Sequence, residues 1–279
     1  MQKPPPKQGK KSVSSPPKAV CVLKLLAGGM LLFTLNVLPA FGLTEFAQVA
    51  SQIRAQSVDQ AALLPLVTFT KSAHGTTRQQ YVLRRTDAGD GSFVVKGNND
   101  EVSVVQKFRK DGSLASATQT DAKGKMTEQV VDAQRTQVRT KISKKGVLQS
   151  DFTTRMEASF VLQAELNNVV SQAWKAGIRD GLLMKSLSPD GSLAADFQIL
   201  FRETSNPLGL SANYEYPDEL RKAVPPGEYL VADMSLLGVG AFFFPDHFYI
   251  TYSKTPQGLE FVAFFGDNPK TAMFQFISR

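Results

Sequence analysis

The chain has 279 residues, 42% hydrophobic and 20% charged, with a formal net charge of +7; this length suffices for one large domain or two small ones around a packed core. The positive balance belongs to the leader: Lys3, Lys7, Lys10, Lys11, Lys18 and Lys24 precede the first acidic residue, Glu45, and +7 less these six is +1. A near-neutral body lacks the electrostatic footprint of a nucleic-acid binder, and with Cys21 in the leader and only His74 and His247 as histidines, ligands for a zinc site are too few.

Residues 1–42 read as a secretory signal. Met1–Lys18 is rich in Pro, Ser and Lys, with little to bury. Leu25–Leu38 is apolar but shorter than the roughly 20 residues a spanning helix needs. Ala40 and Gly42 supply a small-x-small cleavage site, and cleavage is expected after Gly42. The alternative is an uncleaved anchor, which would be the chain's one membrane contact. No cysteine follows the apolar run to carry a lipid.

Residues 43–65 form a helical arm or linker. Phe46, Val49, Ala50 and Ile53 recur at helical spacing, and Pro65 is the expected stop. Residues 66–162 change period and read as an antiparallel β-meander. Turn signals recur at Asp90-Gly91, Gly97-Asn98, Asp111-Gly112, Lys123-Gly124 and Lys145-Gly146. Between Arg135 and Ile142 the alternation sets Arg135, Gln137, Arg139 and Lys141 on a wet face and Thr136, Val138, Thr140 and Ile142 on a buried one. That basic row suits a polyanion or, more simply, a solvated sheet face.

Residues 163–279 read as a helix pair plus a second antiparallel sheet. Leu166, Val169, Val170, Ala173 and Trp174 share one face of a helix that Gly177 ends in the left-handed conformation. Gly181–Leu187 reads as a second short helix. Ala195–Arg202 alternates Phe197, Ile199 and Phe201 on one face and is a strand. Turns at Asn206-Pro207-Leu208-Gly209, Pro225-Pro226-Gly227 and Asp267-Asn268-Pro269 separate strands at Glu228–Met234, Val239–Phe244, Phe248–Tyr252, Leu259–Phe265 and Ala272–Ile277. The fold class is α+β.

No Gly-x-Ser-x-Gly elbow, Cys/His pair or phosphate-binding glycine loop is present. Carboxylate pairs from distant positions stay open. His74 reads as a loop residue; Asp246 stands beside His247 and would orient it, or the two form an ordinary turn. Trp174 is either core or a sugar-stacking platform. Phe242, Phe243 and Phe244 are either a strand buried on both faces or an exposed patch for a partner.

Three segments in order, "NVVSQAWKAGI" (Asn168–Ile178), "RDGLLMK" (Arg179–Lys185) and "ADFQILFRE" (Ala195–Glu203), resemble the opacity-associated-protein-A-like region upstream of the catalytic domain in Gram-negative, lysostaphin-type murein endopeptidases. That family has a helix of the form S-L-x-x-A-A-x-x-A-G-L, a second helix, and a strand near G-D-x-F-x-V-L-Y-E; here Ala195-Asp196 replaces the Gly-Asp. "GEYLVADMSLLG" (Gly227–Gly238) is similar to its G-x-I-L-A-A-x-F segment, and "NPKTAMFQFISR" (Asn268–Arg279) to the stretch leading into the peptidase domain. The family's zinc motifs, H-x-x-x-D and H-x-H, do not occur.

The resemblance implies the accessory part without the enzyme, with no cofactor or metal. The expectation is an exported, non-catalytic periplasmic protein of a Gram-negative bacterium. It would bind a lysostaphin-type murein endopeptidase or murein itself and modulate cell-wall hydrolysis, with Phe242, Phe243 and Phe244 as candidate partner-binding residues. The alternative is a carrier holding an apolar ligand, such as a lipid, on a curved sheet; a third is an unrecognised hydrolase.

Overall fold

A computed structural model describes residues 42–58, 63–72, 75–188, 191, 194–210, 216–237, 247–256, 258–266 and 273–277. The chain divides into two units, Met1–Pro39 and Ala40–Arg279, and every described residue lies in the second. That unit is α+β. Its strands are β1 (Thr44–Glu45), β2 (Leu63–Ser72), β3 (Gly75–Asp87), β4 (Phe93–Asn98), β5 (Val102–Phe108), β6 (Leu114–Asp121), β7 (Lys125–Val131), β8 (Gln137–Lys144), β9 (Val147–Arg155), β10 (Phe160–Leu162), β11 (Gly181–Leu187), β12 (Ala194–Thr204), β13 (Tyr229–Leu236), β14 (His247–Thr255), β15 (Gly258–Gly266) and β16 (Met273–Ile277). Its helices are α1 (Phe46–Arg54), α2 (Leu166–Lys175) and α3 (Asp218–Ala223).

The expected meander and second sheet are two halves of one hydrogen-bonded path. β2 to β9 pair in sequence order, β11 to β16 do the same, and β16 joins β2 antiparallel. One face of the path, called inner here, carries α1 and α2. Ile199, Leu230, Ala232, Met234, Ile250 and Tyr252 of the sheet pack there against Phe46, Ile53, Val169, Val170 and Ala173. The opposite, outer face buries Tyr229, Val231, Tyr249 and Phe265 against Leu220 and Val224, at and just after the short helix α3, which the sequence reading missed. The meander curls so that Phe93, Phe108, Leu114, Val131 and Val138 meet Phe160, Leu162 and Leu187. Gly191, between β11 and β12, then lies against Thr140 and Phe152.

Local chemistry accounts for most elements. α1 buries Phe46 and Ile53, but it ends at Arg54, and Leu63, Leu64 and Pro65 already belong to β2. The helix therefore stops well before the proline expected to end it. Turns fall at Asp90-Gly91, Asp111-Gly112, Lys123-Gly124 and Lys145-Gly146, where Gly91, Gly112, Gly124, Lys145 and Gly146 hold positive φ. Gly97-Asn98 is instead inside β4. A Cβ on Gly97 would sit 2.5 Å from Leu83 and Tyr81 side-chain atoms, so this glycine serves close packing rather than a turn. The turn follows one residue later, where the Asn99 side chain accepts hydrogen bonds from the amides of Glu101 and Val102.

Alternation holds over the first half of β8, where Val138 and Thr140 are buried and Gln137 and Arg139 exposed; Lys141 and Ile142 are both half-buried, and Thr136, expected on the buried face, is exposed. Arg135 departs from that row. It sits before the strand at φ 57 and its guanidinium turns inward to Glu165. Arg139 is held by Asp151 at 2.6 and 2.8 Å. Two of the row's three cations are thus committed within the protein, which leaves little for a polyanion.

Gly181–Leu187 is a strand, not the second helix of a pair. Short apolar runs do not distinguish the two by periodicity. Tertiary pairing decides: β12 binds one side antiparallel, and β1 and β10 bind the other side in parallel. Leu182 and Met184 then both enter the inner core.

α2 ends as its sequence implies. Gly177 has φ +87, its amide donates to the Trp174 carbonyl, and the Ile178 amide donates to that of Ala173. Nothing lies within 4 Å of where a Cβ would be, so Gly177→Ala adds backbone strain and no collision. The expected loss is about 1 kcal/mol in urea unfolding; unchanged stability would contradict this end of the helix.

Candidate functional site: a polar groove on the inner face

The inner rows of β5, β6 and β7 set Val104 beside Gln119 and Gln106 beside Ala117, then Gln119 beside Thr127 and Ala117 beside Gln129. Opposite them stand Gln163 and Ala164, in the 3-10 turn Gln163–Glu165, and Asn167 of α2. Together with Thr118 these residues line an open cavity of about 310 Å³. Seven of the ten lining residues bear an amide or hydroxyl, three are Val or Ala, and none is charged.

Some of these polar groups are already oriented. Asn167 Oδ1 accepts from the Tyr252 hydroxyl at 3.0 Å, which leaves its NH₂ as the donor side. Gln129 Nε2 donates to the Ser188 carbonyl at 3.4 Å, leaving its oxygen as acceptor. The wall therefore offers both donors and acceptors at fixed positions.

A buried carboxylate holds the roof of this groove. Glu165 is fully buried. Its oxygens accept from Arg135 Nη1 and Nη2 at 2.5 and 2.9 Å, from the Leu114 amide at 2.5 Å and from the Leu162 amide at 3.2 Å. Arg54 Nη2 lies 3.5 Å away. One side chain thus ties α1, β6, the turn before β8 and β10 to the turn that supplies Gln163 and Ala164. Burial is the largest influence on the Arg54 guanidinium and pushes its pKa down, against the opposing pull of Glu165. Nearby, Gln172 Nε2 donates to the Gln56 and Asp111 carbonyls, and Asn168 Nδ2 to that of Gly112. These bonds stitch α2 to the segment just after α1 and to the β5–β6 turn.

The residues singled out from sequence fare differently. Phe242, Phe243, Phe244, His74 and Asp246 lie outside the described residues. His247 heads β14, and the carboxylate on its Nδ1 is Asp233 of β13, at 2.6 Å. The other Asp233 oxygen is 2.8 Å from Arg202 of β12. Asp233 is 3% exposed at the side chain, against 47% for Arg202 and 36% for His247. With both oxygens engaged, this outer-face cluster pins three adjacent strands. Sequence reading missed it because Arg202, Asp233 and His247 are brought together only by register. Trp174 packs against the inner core, with the Phe201 ring nearly perpendicular to it at 6.2 Å between centroids and the Arg179 guanidinium 3.9 Å over its ring; the covered ring is no open platform for a sugar.

Among the described residues no group of three or more His, Cys, Asp or Glu side chains is arranged to hold a metal ion. No described helix is long and apolar enough to cross a membrane. No family model matches this chain, and no curated protein matches it. A solved structure does: the β-barrel-like protein of the domain of unknown function DUF1849 from Brucella abortus, at a TM-score of 0.52 and 8% identity, covering 80% of this chain and 98% of that one. At that identity the likeness speaks to fold, a curled sheet of barrel type, and no catalytic family is identified.

Proposed function

We propose that the chain is an exported, non-catalytic periplasmic protein that binds murein in the inner-face groove and modulates its hydrolysis. What carries this reading is the neutral, hydrogen-bonding lining: Gln106, Gln119, Gln129, Gln163, Asn167 and Thr127, with no charge among the ten residues. Murein is a polymer of N-acetylated sugars and short peptides, dense in amides and hydroxyls that match such a wall. An apolar lipid tail there would strand those side-chain groups, at roughly 1–3 kcal/mol for each one left unsatisfied. The groove therefore favours murein over the apolar-carrier alternative. Export rests on the basic leader and its short apolar run, and the connection to an endopeptidase rests on the resemblance of Asn168–Glu203 to the region upstream of such enzymes.

Purified murein sacculi should pellet the protein, and Gln119→Leu and Gln129→Leu should each weaken binding about 2- to 10-fold, the worth of one net hydrogen bond. The protein alone should release no soluble fragments from sacculi, and it should change the rate at which an added lysostaphin-type endopeptidase releases them. Failure to pellet, or undiminished binding by both variants, would remove the groove from this role. Lipid extracted from the purified protein would favour the carrier.

A further inference from the structure

The two ends of the strand path are treated differently. At one end β11 is covered along its length, by β1 at Leu182–Leu183 and by β10 at Lys185–Leu187. At the other end β9 pairs only with β8 among the described residues. Seven of the nine residues of β9 are exposed, and the strand contains no proline or lysine, residues that blunt an open edge. A register shift near the hairpin leaves Ser150–Arg155 as its regular, one-to-one paired stretch.

The geometry points to self-association through this edge: β9 of one copy pairs antiparallel with β9 of a second about a two-fold axis at Thr153. The charges select the partner and the register. Asp151, Thr153 and Arg155 alternate onto one face, and Asp151 and Arg155 are the only charged residues of the strand. With Thr153 on the axis, Asp151 faces the partner's Arg155, and the pair occurs twice by symmetry. Centring on Asp151 would oppose like charges instead. Asp151 already holds Arg139 at 2.6 Å, so its carboxylate is fixed where the second cation arrives. The regular stretch is short and the interface correspondingly small, so the dimer is a concentration-dependent one. This inference stands apart from the murein reading.

The test uses the full chain with Cys21→Ser, so that introduced cysteines are alone. Residues on the axis face each other with Cα atoms about 4.5–5.5 Å apart, within the Cα spacing that a disulfide spans. Thr153→Cys should therefore give a cross-linked dimer under mild oxidation, and Val147→Cys, exposed at the far end of the strand, should not. Sedimentation equilibrium should show a monomer–dimer equilibrium that Arg155→Asp weakens by about tenfold. Circular dichroism of each variant separates loss of pairing from loss of fold. A monomer throughout the concentration series, or cross-linking no greater at Thr153→Cys than at Val147→Cys, would overturn the proposal.

Discussion

Glu165→Ala should destabilise the fold by roughly 3–5 kcal/mol, the usual cost of breaking a buried ion pair from one side. The carboxylate is fully buried and the arginines it holds are nearly so, with Arg135 16% and Arg54 14% exposed at the side chain. Alanine would leave both cations and the amides of Leu114 and Leu162 without their common acceptor. It would also free the turn that carries Gln163 and Ala164, so murein binding should fall even where the protein stays folded. Glu165→Gln keeps the shape and one acceptor oxygen but loses the charge, and should lie between alanine and wild type. Urea unfolding measures all three; a loss below about 1 kcal/mol for alanine would mean that the arginines find other partners and that Glu165 is not the roof's anchor.

Gly181→Ala is expected to cost roughly 3 kcal/mol or more, from backbone strain and overpacking together. Gly181 has φ +142, and a Cβ there would overlap the Ile199 carbonyl oxygen and lie 2.8 Å from a Leu43 methyl. The oxygen cannot withdraw cheaply, because Gly181 faces Leu200 and Leu182 faces Ile199 in the β11–β12 ladder. The pair Gly177→Ala and Gly181→Ala therefore separates two effects: strain alone, and strain plus collision with backbone. For a unit of this size the second variant should melt roughly 6–12 °C lower than wild type. Equal losses for the two would contradict the close approach of β11 to Ile199.

Local spacing was enough for much of this protein. Phe46, Val49, Ala50 and Ile53 mark α1, the stripe from Leu166 to Trp174 marks α2, and Gly177 takes the left-handed conformation that a helix end favours. The alternation of Phe197, Ile199 and Phe201 marks β12, and four of the five turn dipeptides in the meander are turns. Those features depend on neighbours a few residues apart, so periodicity and turn chemistry report them directly. Tertiary structure decided the rest. Gly181–Leu187 became a strand because β1, β10 and β12 saturate both of its edges. Gly97 left the turn class because Leu83 and Tyr81 crowd it from the neighbouring strand. Arg135 left the wet face for Glu165, thirty residues on, and Asp233, fourteen residues back on the neighbouring strand, meets the His247 ring. The groove itself joins residues from Val104 to Asn167. None of its amides is unusual alone, and they form a site only because strand register and one buried carboxylate place them on facing walls.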